Sequence, residues 1–512
     1  MTNTAQSNKR IVKNTLLLYF RMLLLMAINL YASRVILHAL GVEDFGIYNV
    51  VGGVVAMFSV ISGSLSAAIS RFITFELGCG NIDNLKRVFS TSITIQLLLA
   101  LIIVVLAESF GVWFLNTQMT IPEDRIVAAN WVMQFSLFTF VINLISVPYN
   151  AAIIAHERMA AFAYVSIVEG LCKLSIAYLV MVSPIDRLVF YAILMLILAV
   201  IVRVLYGIYC NKYFEECEYH FNWDTEILKK MFGFAGWNFI GASAVVLRDQ
   251  GGNIIINIFC GPSVNAARGI ATQVNTAITG FVSNFMTALN PQITKSYAIG
   301  NYNYMMKLIF VGARFSFYLL LLLSLPVFVS THYILEIWLH SVPEYTVQFV
   351  RLILALTLLE SISNPLITAM LATGRIKKYQ IVAGGINMMN LPIAYFLLRW
   401  TAMPEVVFIV AIVISQCCLF ARLVMLRGMI GLSLKEYIKK VYINILAVTI
   451  TSSFIPILIV NRMDQSFSNF LLLCLIIVVC VCISIYYIGC NSEERVFFHS
   501  KLNGIISKLM RK

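Results

Sequence analysis

Long apolar runs separated by short polar segments make up most of the chain. Fourteen of these runs reach or exceed the roughly 20 residues that an α-helix needs to cross the hydrocarbon of a bilayer. They cover residues 15–39, 46–76, 88–113, 126–152, 160–183, 187–211, 230–259, 264–294, 306–332, 345–371, 379–399, 404–426, 438–460 and 467–489. The pattern predicts an all-α polytopic membrane protein with about 14 transmembrane helices.

Composition and charge placement agree with this topology. The chain has 512 residues, of which 60% are hydrophobic and 12% are charged, against about 25% charged residues in soluble domains. The formal charge of +13 could suggest nucleic-acid binding, but most basic residues fall in predicted loops on one side and in the tail. The opposite side carries only Arg125, Arg187, Arg399 and Arg462. The positive-inside rule therefore predicts two cytoplasmic termini, with membrane lipids and not nucleic acid as the partner of the basic loops.

An internal repeat relates two parts of the chain. SVPYNAAIIAHER, which begins at Ser146, matches SNPLITAMLATGR, which begins at Ser363. A second pairing aligns Gly41 with Gly261 and Gly80 with Gly300; each pair is separated by 220 residues. We predict an N-terminal six-helix bundle in 1–215, a related bundle in 216–430, and two additional helices with a cytoplasmic tail in 431–512. Six predicted spans separate equivalent positions, so the two halves share one orientation and are expected to enclose a central cavity.

Several charged residues lie deep within predicted spans. Glu169, Lys173, Arg248, Asp249 and Glu360 are roughly ten residues from the nearer helix end, which is about 15 Å at 1.5 Å per residue. Side chains at that depth cannot easily reach water by snorkelling. Five other arginines lie near span ends and are expected to snorkel: Arg21, Arg203, Arg314, Arg351 and Arg422.

The spacing of the deep charges predicts how they pair. Glu169 and Lys173 are four residues apart on one helix and are expected to neutralise each other. Arg248 and Asp249 are adjacent and point about 100° apart on a helix, so each is expected to find its partner elsewhere. We therefore expect Arg248 to face a polar cavity between the halves.

The buried cations are not part of the repeat. At the same residue shifts, Arg34, Arg268 and Lys173 align with uncharged residues, whereas a role in maintaining the fold would predict cations in both halves. We interpret four cations as substrate-binding: Arg34, Lys173, Arg248 and Arg268. Guanidinium groups suit phosphate oxygens, so the substrate is expected to be a phosphorylated anion. Three acids are candidates for coupling or counter-charge: Glu169, Asp249 and Glu360.

No enzyme or metal site is evident in the sequence. The eleven cysteines have neither disulfide nor zinc spacing, the six histidines are scattered, and there is no phosphate loop or nucleophile motif. The longest predicted loop, 211–229, has the aromatic and acidic mix of an interfacial connector. We expect no catalytic residue, no metal and no cofactor, apart from coupling to a proton or sodium gradient.

The segment from Ala32 to Gly78, and LGVEDFGIYNV from Leu40 to Val50 within it, resembles the start of bacterial polysaccharide flippases. These O-antigen and exopolysaccharide translocases belong to the multidrug/oligosaccharidyl-lipid/polysaccharide exporter superfamily, which shares the arrangement of twelve plus two helices. The resemblance implies alternating-access transfer of an undecaprenyl-diphosphate-linked oligosaccharide from the cytoplasmic to the periplasmic leaflet of the inner membrane. It also implies a lipopolysaccharide or related surface-polysaccharide pathway, with a polymerase and chain-length machinery as partners.

Other functions stay open at this point. A multidrug/toxin antiporter of the same superfamily would need unpaired acids for cationic cargo, and the excess of arginine disfavours it. A lipid II flippase for peptidoglycan would carry the same diphosphate. A membrane polymerase or glycosyltransferase would need acids or histidines gathered on a larger loop. A purely structural membrane protein would give no reason for two related halves.

Overall fold

The computed structural model describes residues 2–56, 59–117, 121–221, 223–339, 342–460, 463 and 466–496. Their secondary structure is helical, without a β-strand in any of these ranges, which confirms the predicted all-α class. The α-helices are α1 (Thr2–Ala56), α2 (Ser59–Cys79), α3 (Ile82–Leu106), α4 (Val112–Thr117), α5 (Ile126–Ala155), α6 (Met159–Leu179), α7 (Arg187–Tyr213), α8 (Thr225–Ala298), α9 (Tyr302–Val329), α10 (Thr331–Leu339), α11 (Thr346–Ser361), α12 (Asn364–Ala372), α13 (Ile376–Met388), α14 (Asn390–Thr401), α15 (Val406–Ile430), α16 (Leu434–Tyr437), α17 (Asn444–Val460) and α18 (Phe467–Ser484). Three π-helical segments continue neighbouring α-helices; they are Ala107–Gly111, Ile438–Ile443 and Ile485–Gly489.

Twelve helices in the described ranges are long and apolar enough to cross a membrane, so the chain is a multi-pass membrane protein. They correspond to twelve of the fourteen predicted spans. Predicted span 46–76 runs across residues 57 and 58, which lie outside the described ranges. Predicted span 264–294 is helical within α8 but is not one of the twelve. The count of fourteen therefore stays a prediction. Arg462 and the predicted cytoplasmic tail from residue 497 also lie outside the described residues.

The chain divides into two compact units. The first comprises Met1–Ser243, Thr287–Asn301 and Gly374–Gln380, and the second comprises Ala244–Met286, Tyr302–Thr373 and Ile381–Lys512. Their boundaries differ from 1–215, 216–430 and 431–512, because short pieces of the later chain pack with the first unit. The division predicted from the repeat remains a prediction.

Each unit has its own apolar core. In the first, α1, α3, α5 and α7 bury a cluster that includes Val51, Ile103, Val132 and Leu188. In the second, Phe349 is fully buried and its ring centroid lies 4.9 Å from that of Phe408. Large apolar side chains outside these cores are exposed, as expected for helix faces that contact lipid tails.

Paired glycines from the predicted repeat adopt the same unusual backbone conformation. Gly41 has φ 78° and ψ 169°, and Gly261 has φ 84° and ψ 175°; each interrupts an otherwise continuous helix. Gly80 and Gly300 have φ 73° and 71°. These φ values are open to glycine and strained for other residues. The two sequence segments therefore share local backbone geometry as well as residue identity.

One predicted outer loop has its basic residue neutralised by acids. Arg125 donates from Nε to Asp44 Oδ1 at 2.8 Å and from Nη1 to Asp186 Oδ2 at 2.6 Å. Burial alone would raise the pKa of Asp186, but the hydrogen bond from Arg125 and those from backbone amides lower it overall. The three residues tie the starts of α5 and α7 to α1 within the first unit.

Candidate functional site

A cluster of charged side chains lies in the second unit, where α8 faces α11. Arg248 donates from Nη1 to Glu360 Oε1 at 2.5 Å and from Nε to Asp249 Oδ1 at 2.9 Å. The Arg248 side chain is 11% exposed, whereas Asp249 and Glu360 are 55% and 36% exposed. The arginine is therefore covered, and its two carboxylate partners face the more open side.

Arg268 joins this cluster from the part of α8 that follows Gly261. Its Nη2 donates to the backbone carbonyl of Asp249 at 2.9 Å, and its guanidinium carbon lies 5.5 Å from the Phe408 ring centroid. Arg268 is 9% exposed, and its Nη1 has no hydrogen-bond partner among the described residues. This Nη1 group is a buried donor that the described residues leave without an acceptor.

The glycine pair of α8 makes the approach of Arg268 possible. A Cβ atom added to Gly252 would overlap the Arg268 guanidinium, and one added to Gly251 would overlap the side chain of Leu391. Both glycines are in regular helix, so they are needed here for space and not for a positive φ. Any larger residue at position 252 would move Arg268 from its place beside Asp249.

The predicted pairing of Arg248 was right for one partner and wrong for the other. Glu360, 112 residues away in the sequence, is the distant partner that the sequence pattern demands. The expectation that Arg248 and Asp249 do not pair was wrong, because the Arg248 side chain folds back so that its Nε reaches the neighbouring carboxylate. Adjacent Cβ atoms on a helix point in different directions, but the arginine side chain is long enough to span that angle.

The other predicted site residues belong to the first unit. Lys173 donates from Nζ to Glu169 Oε1 at 2.6 Å, so the predicted pair is confirmed, and both side chains are 34% exposed. Arg34 on α1 is exposed. The structure thus brings Arg248, Arg268 and two of the predicted acids together. It does not test the substrate-binding roles assigned to Arg34 and Lys173.

Some polar contacts beside the cluster were missed by the sequence reasoning. Thr357, one turn before Glu360 on α11, donates to Asn275 Oδ1 at 2.7 Å. Arg422 is 9% exposed and donates to Ser363 Oγ at 3.1 Å. The signal that could have identified Asn275 and Thr357 is weak, because polar uncharged residues are common in membrane helices.

The expectation that Arg314 and Arg422 snorkel to water was wrong, because both side chains are buried. Arg314 is 5% exposed; its Nη1 donates to the Gly489 carbonyl at 2.6 Å, and it forms an ion pair with Glu494. Both arginines therefore point into the protein. Arg21 and Arg203 lie over aromatic rings, 4.3 Å from Phe162 and 3.8 Å from Tyr149, where the ring face stabilises the cation.

The electrostatic balance of the cluster determines what it can bind. Two arginines face two carboxylates, so the formal charge is zero and the cations are not in excess locally. An anion would have to accept a hydrogen bond from Arg268 Nη1 and compete with Glu360 for Arg248. The described residues contain no group of three or more His, Cys, Asp or Glu side chains suited to a metal.

Sequence comparison places the chain in a family. The family described as "Polysaccharide biosynthesis protein" matches residues 11–297, more than half of the chain. The chain belongs to this polysaccharide biosynthesis family. A relative, the "Uncharacterized membrane protein EpsK" of Bacillus subtilis (strain 168), is 21% identical over 280 residues, which is 54% of this chain and 55% of the relative. The aligned region thus spans about half of that relative's length.

Solved structures show the fold of this family member. An outward-facing multidrug resistance MATE family transporter of the MOP superfamily has a TM-score of 0.72 and 13% identity, covering 83% of this chain and 96% of that one. A MOP superfamily transporter from Pyrococcus furiosus, whose title describes a binding pocket of reverse polarity, has a TM-score of 0.69 and 14% identity over the same shares. The chain therefore has the same fold as these two solved structures.

Proposed function

We propose that this protein is a flippase that moves a diphosphate-linked oligosaccharide on a polyprenyl lipid from the cytoplasmic to the outer leaflet by alternating access. The observation that supports the proposal most is that two covered arginines, Arg248 and Arg268, both donate to Asp249 in a polysaccharide biosynthesis protein. Buried arginine is expensive in a membrane. A diphosphate, with several oxygens that accept two hydrogen bonds from one guanidinium, fits such a pair.

Binding would proceed by exchange of partners. The diphosphate accepts a hydrogen bond from Arg268 Nη1, a buried donor that has no partner among the described residues. It then replaces Glu360 on Arg248, because a charge-assisted bond to a doubly anionic ligand outcompetes a single carboxylate. Glu360 then loses its cation partner and, at 36% exposure, stays on the more open side of the cluster. Release of the Glu360 carboxylate from Arg248 is therefore the proposed coupling step.

The proposal is tested in bacterial cells that lack the protein and carry single variants. Arg248→Ala should abolish transfer, so that lipid-linked oligosaccharide accumulates on the cytoplasmic face and surface polymer disappears. Arg248→Lys should keep part of the activity, because lysine retains the charge but not the planar pair of donors. Arg427→Ala, which removes an exposed arginine from the last turn of α15, should leave transfer unchanged.

Glu360→Gln tests the exchange step separately. It removes the competing carboxylate and should tighten binding of a soluble diphosphate analogue to purified protein by about tenfold, if the pair contributes about 1.4 kcal/mol. Equal affinity for the analogue in the wild type and in Glu360→Gln would contradict partner exchange while leaving a flippase role possible.

Three outcomes would replace the proposal. Normal transfer by Arg248→Ala, with the variant present in the membrane at wild-type level, would exclude this cluster as the substrate site. Unchanged polymer together with raised sensitivity to cationic drugs would favour the antiporter, with Asp249 and Glu360 as cation ligands. Loss of peptidoglycan precursors from the outer leaflet would favour lipid II as cargo.

A further inference from the structure

A basic cavity lies in the second unit, far along the chain from the charged cluster on α8. It has a volume of about 610 Å³ and is bordered by α9, by the π-helical segment Ile438–Ile443 and by the end of the last apolar helix. The family match ends at residue 297, before every residue that lines this cavity.

The cavity carries more positive than negative charge. Its lining includes Lys307, Arg314, Lys439 and Lys440 against Glu436 and Glu493. Arg314 is held by Glu494, and Lys307 pairs with Glu493. Lys440 donates to Glu436 at 2.6 Å. Counting Glu494, four cations face three acids, so one positive charge is left over.

Lys439 is the lysine of this lining for which the described residues supply no ion pair. The pairs made by Lys307 and Lys440 are solvent-exposed, with the lysine side chains 45% and 58% exposed. Exposed pairs of this kind contribute little and exchange readily. Two or three ammonium groups can therefore turn to one anion in the cavity.

The lining combines polar and apolar side chains. Lys307 lies five residues after the start of α9, and Asn303 and Asn491 also line the cavity. Phe310, Val311 and Ile488 provide apolar walls. The cavity is thus located at the ends of apolar helices, where a headgroup and the first part of its acyl chains meet the protein.

We propose that this cavity binds the phosphate headgroup of an anionic phospholipid. Lys439 and Lys440 contact the phosphate, and the apolar wall from Phe310 to Ile488 contacts the glycerol and upper acyl region. The positive-inside rule assigns Lys307 and Lys439 to the cytoplasmic side, where anionic lipids attract basic segments of membrane proteins. This site is separate from the proposed substrate cluster and does not depend on the cargo.

The test measures lipid binding to the purified full-length protein in neutral detergent by native mass spectrometry and thermal denaturation. Phosphatidylglycerol is compared with phosphatidylcholine, and inorganic phosphate is added in a third arm. We expect Lys439→Gln to weaken phosphatidylglycerol binding about fivefold, and Lys439→Gln with Lys440→Gln by about 25-fold, from the usual contribution of a lysine near an anionic surface.

Two matched variants keep the result interpretable. Lys435→Gln removes an exposed lysine of the preceding helix α16 that does not line the cavity, and it should leave binding unchanged. Glu436→Gln frees Lys440 and should strengthen binding, the opposite sign from a folding defect. A stabilising effect of inorganic phosphate that matches that of phosphatidylglycerol would identify a phosphate site without lipid selectivity and overturn the lipid assignment.

The whole proposal would be overturned by equal affinity of the wild type for phosphatidylglycerol and phosphatidylcholine. It would also be overturned by losses of the same size in Lys435→Gln and Lys439→Gln. Both measurements are independent of transport, so failure of the proposed flippase function would leave the lipid result intact.

Discussion

The buried ion pair between Glu157 and Lys295 is the contact whose energetic role is easiest to measure. Glu157 lies at φ 59° in the turn that follows α5, and its side chain is 3% exposed. Its Oε1 accepts from Lys295 Nζ at 2.8 Å and its Oε2 accepts from Gln292 Nε2 at 2.6 Å. All three residues are in the first unit. We predict that Lys295→Met destabilises the protein far more than an exposed lysine substitution would.

The magnitude follows from distance and exposure. At 2.8 Å and an effective dielectric of about 20, the direct attraction is about 6 kcal/mol. Desolvation offsets part of it, and removing one partner of a buried pair typically costs about 3–5 kcal/mol. Because the Lys295 side chain is 23% exposed, the lower value of about 3 kcal/mol applies.

Removing the acid instead should have a smaller effect. Glu157→Gln keeps an oxygen that can accept from Gln292 and leaves Lys295 able to reach water, so a loss of about 1 kcal/mol is expected. Adding Lys295→Met to Glu157→Gln should then cost little more. A double-mutant cycle should give a coupling of about 3 kcal/mol between the two residues.

The assay is reversible unfolding of the purified protein in mixed micelles, which gives the free energy of unfolding of each variant. Lys230→Met is the control, because Lys230 pairs with Glu226 at 2.5 Å but is 59% exposed, and its loss should cost below about 1 kcal/mol. Equal losses in Lys230→Met and Lys295→Met, or a cycle without coupling, would refute the reasoning.

Two further predictions concern backbone conformation and acid stability. Gly261→Ala should destabilise the protein by about 1–3 kcal/mol, because φ is 84° at this position. Gly269→Ala, in regular helix with open space around it, should be neutral or stabilising by up to about 1 kcal/mol. Thermal denaturation of both variants distinguishes the two effects. Asp224 caps α8, and although burial raises its pKa, the Ile227 amide and Arg87 lower it overall. Its contribution is therefore present above the unfolded pKa of about 3.9 and is lost as pH falls through the folded value. Unfolding titrations of the wild type and Asp224→Asn should differ at neutral pH and converge in acid.

The membrane-spanning pattern was predictable because hydropathy is a local property of the chain. A run of about 20 apolar residues must form its backbone hydrogen bonds internally in lipid, which leaves a helix as the solution for a single segment. Twelve helices that meet these criteria lie where the sequence predicts spans. The glycine pairs were also recognisable, since Gly41 and Gly261 align in the repeat and share one positive-φ conformation.

Partner choice was less predictable. The sequence predicted that Arg248 finds its partner elsewhere in the chain, but several acids were available and only packing brings Glu360 to it. Arg314 and Arg422 lie near span ends, where snorkelling is the simplest expectation, yet both are buried against protein partners. Position along a helix does not say whether its face meets lipid or another helix.

The sequence by itself determined that this chain is an all-α membrane protein of the polysaccharide biosynthesis family. It also determined the repeated segment and the deep charges. Span length, glycine positions and charge depth are all properties of one helix at a time, so they can be read from the sequence. Tertiary structure decided that Arg248 pairs with Glu360 and that α9 borders a basic cavity. It also decided that the Arg268 guanidinium packs against Gly252 and near the Phe408 ring. These contacts depend on which helix faces pack together, and many helix arrangements satisfy the same hydropathy profile. Side-chain volume and charge compensation between distant segments select one of them.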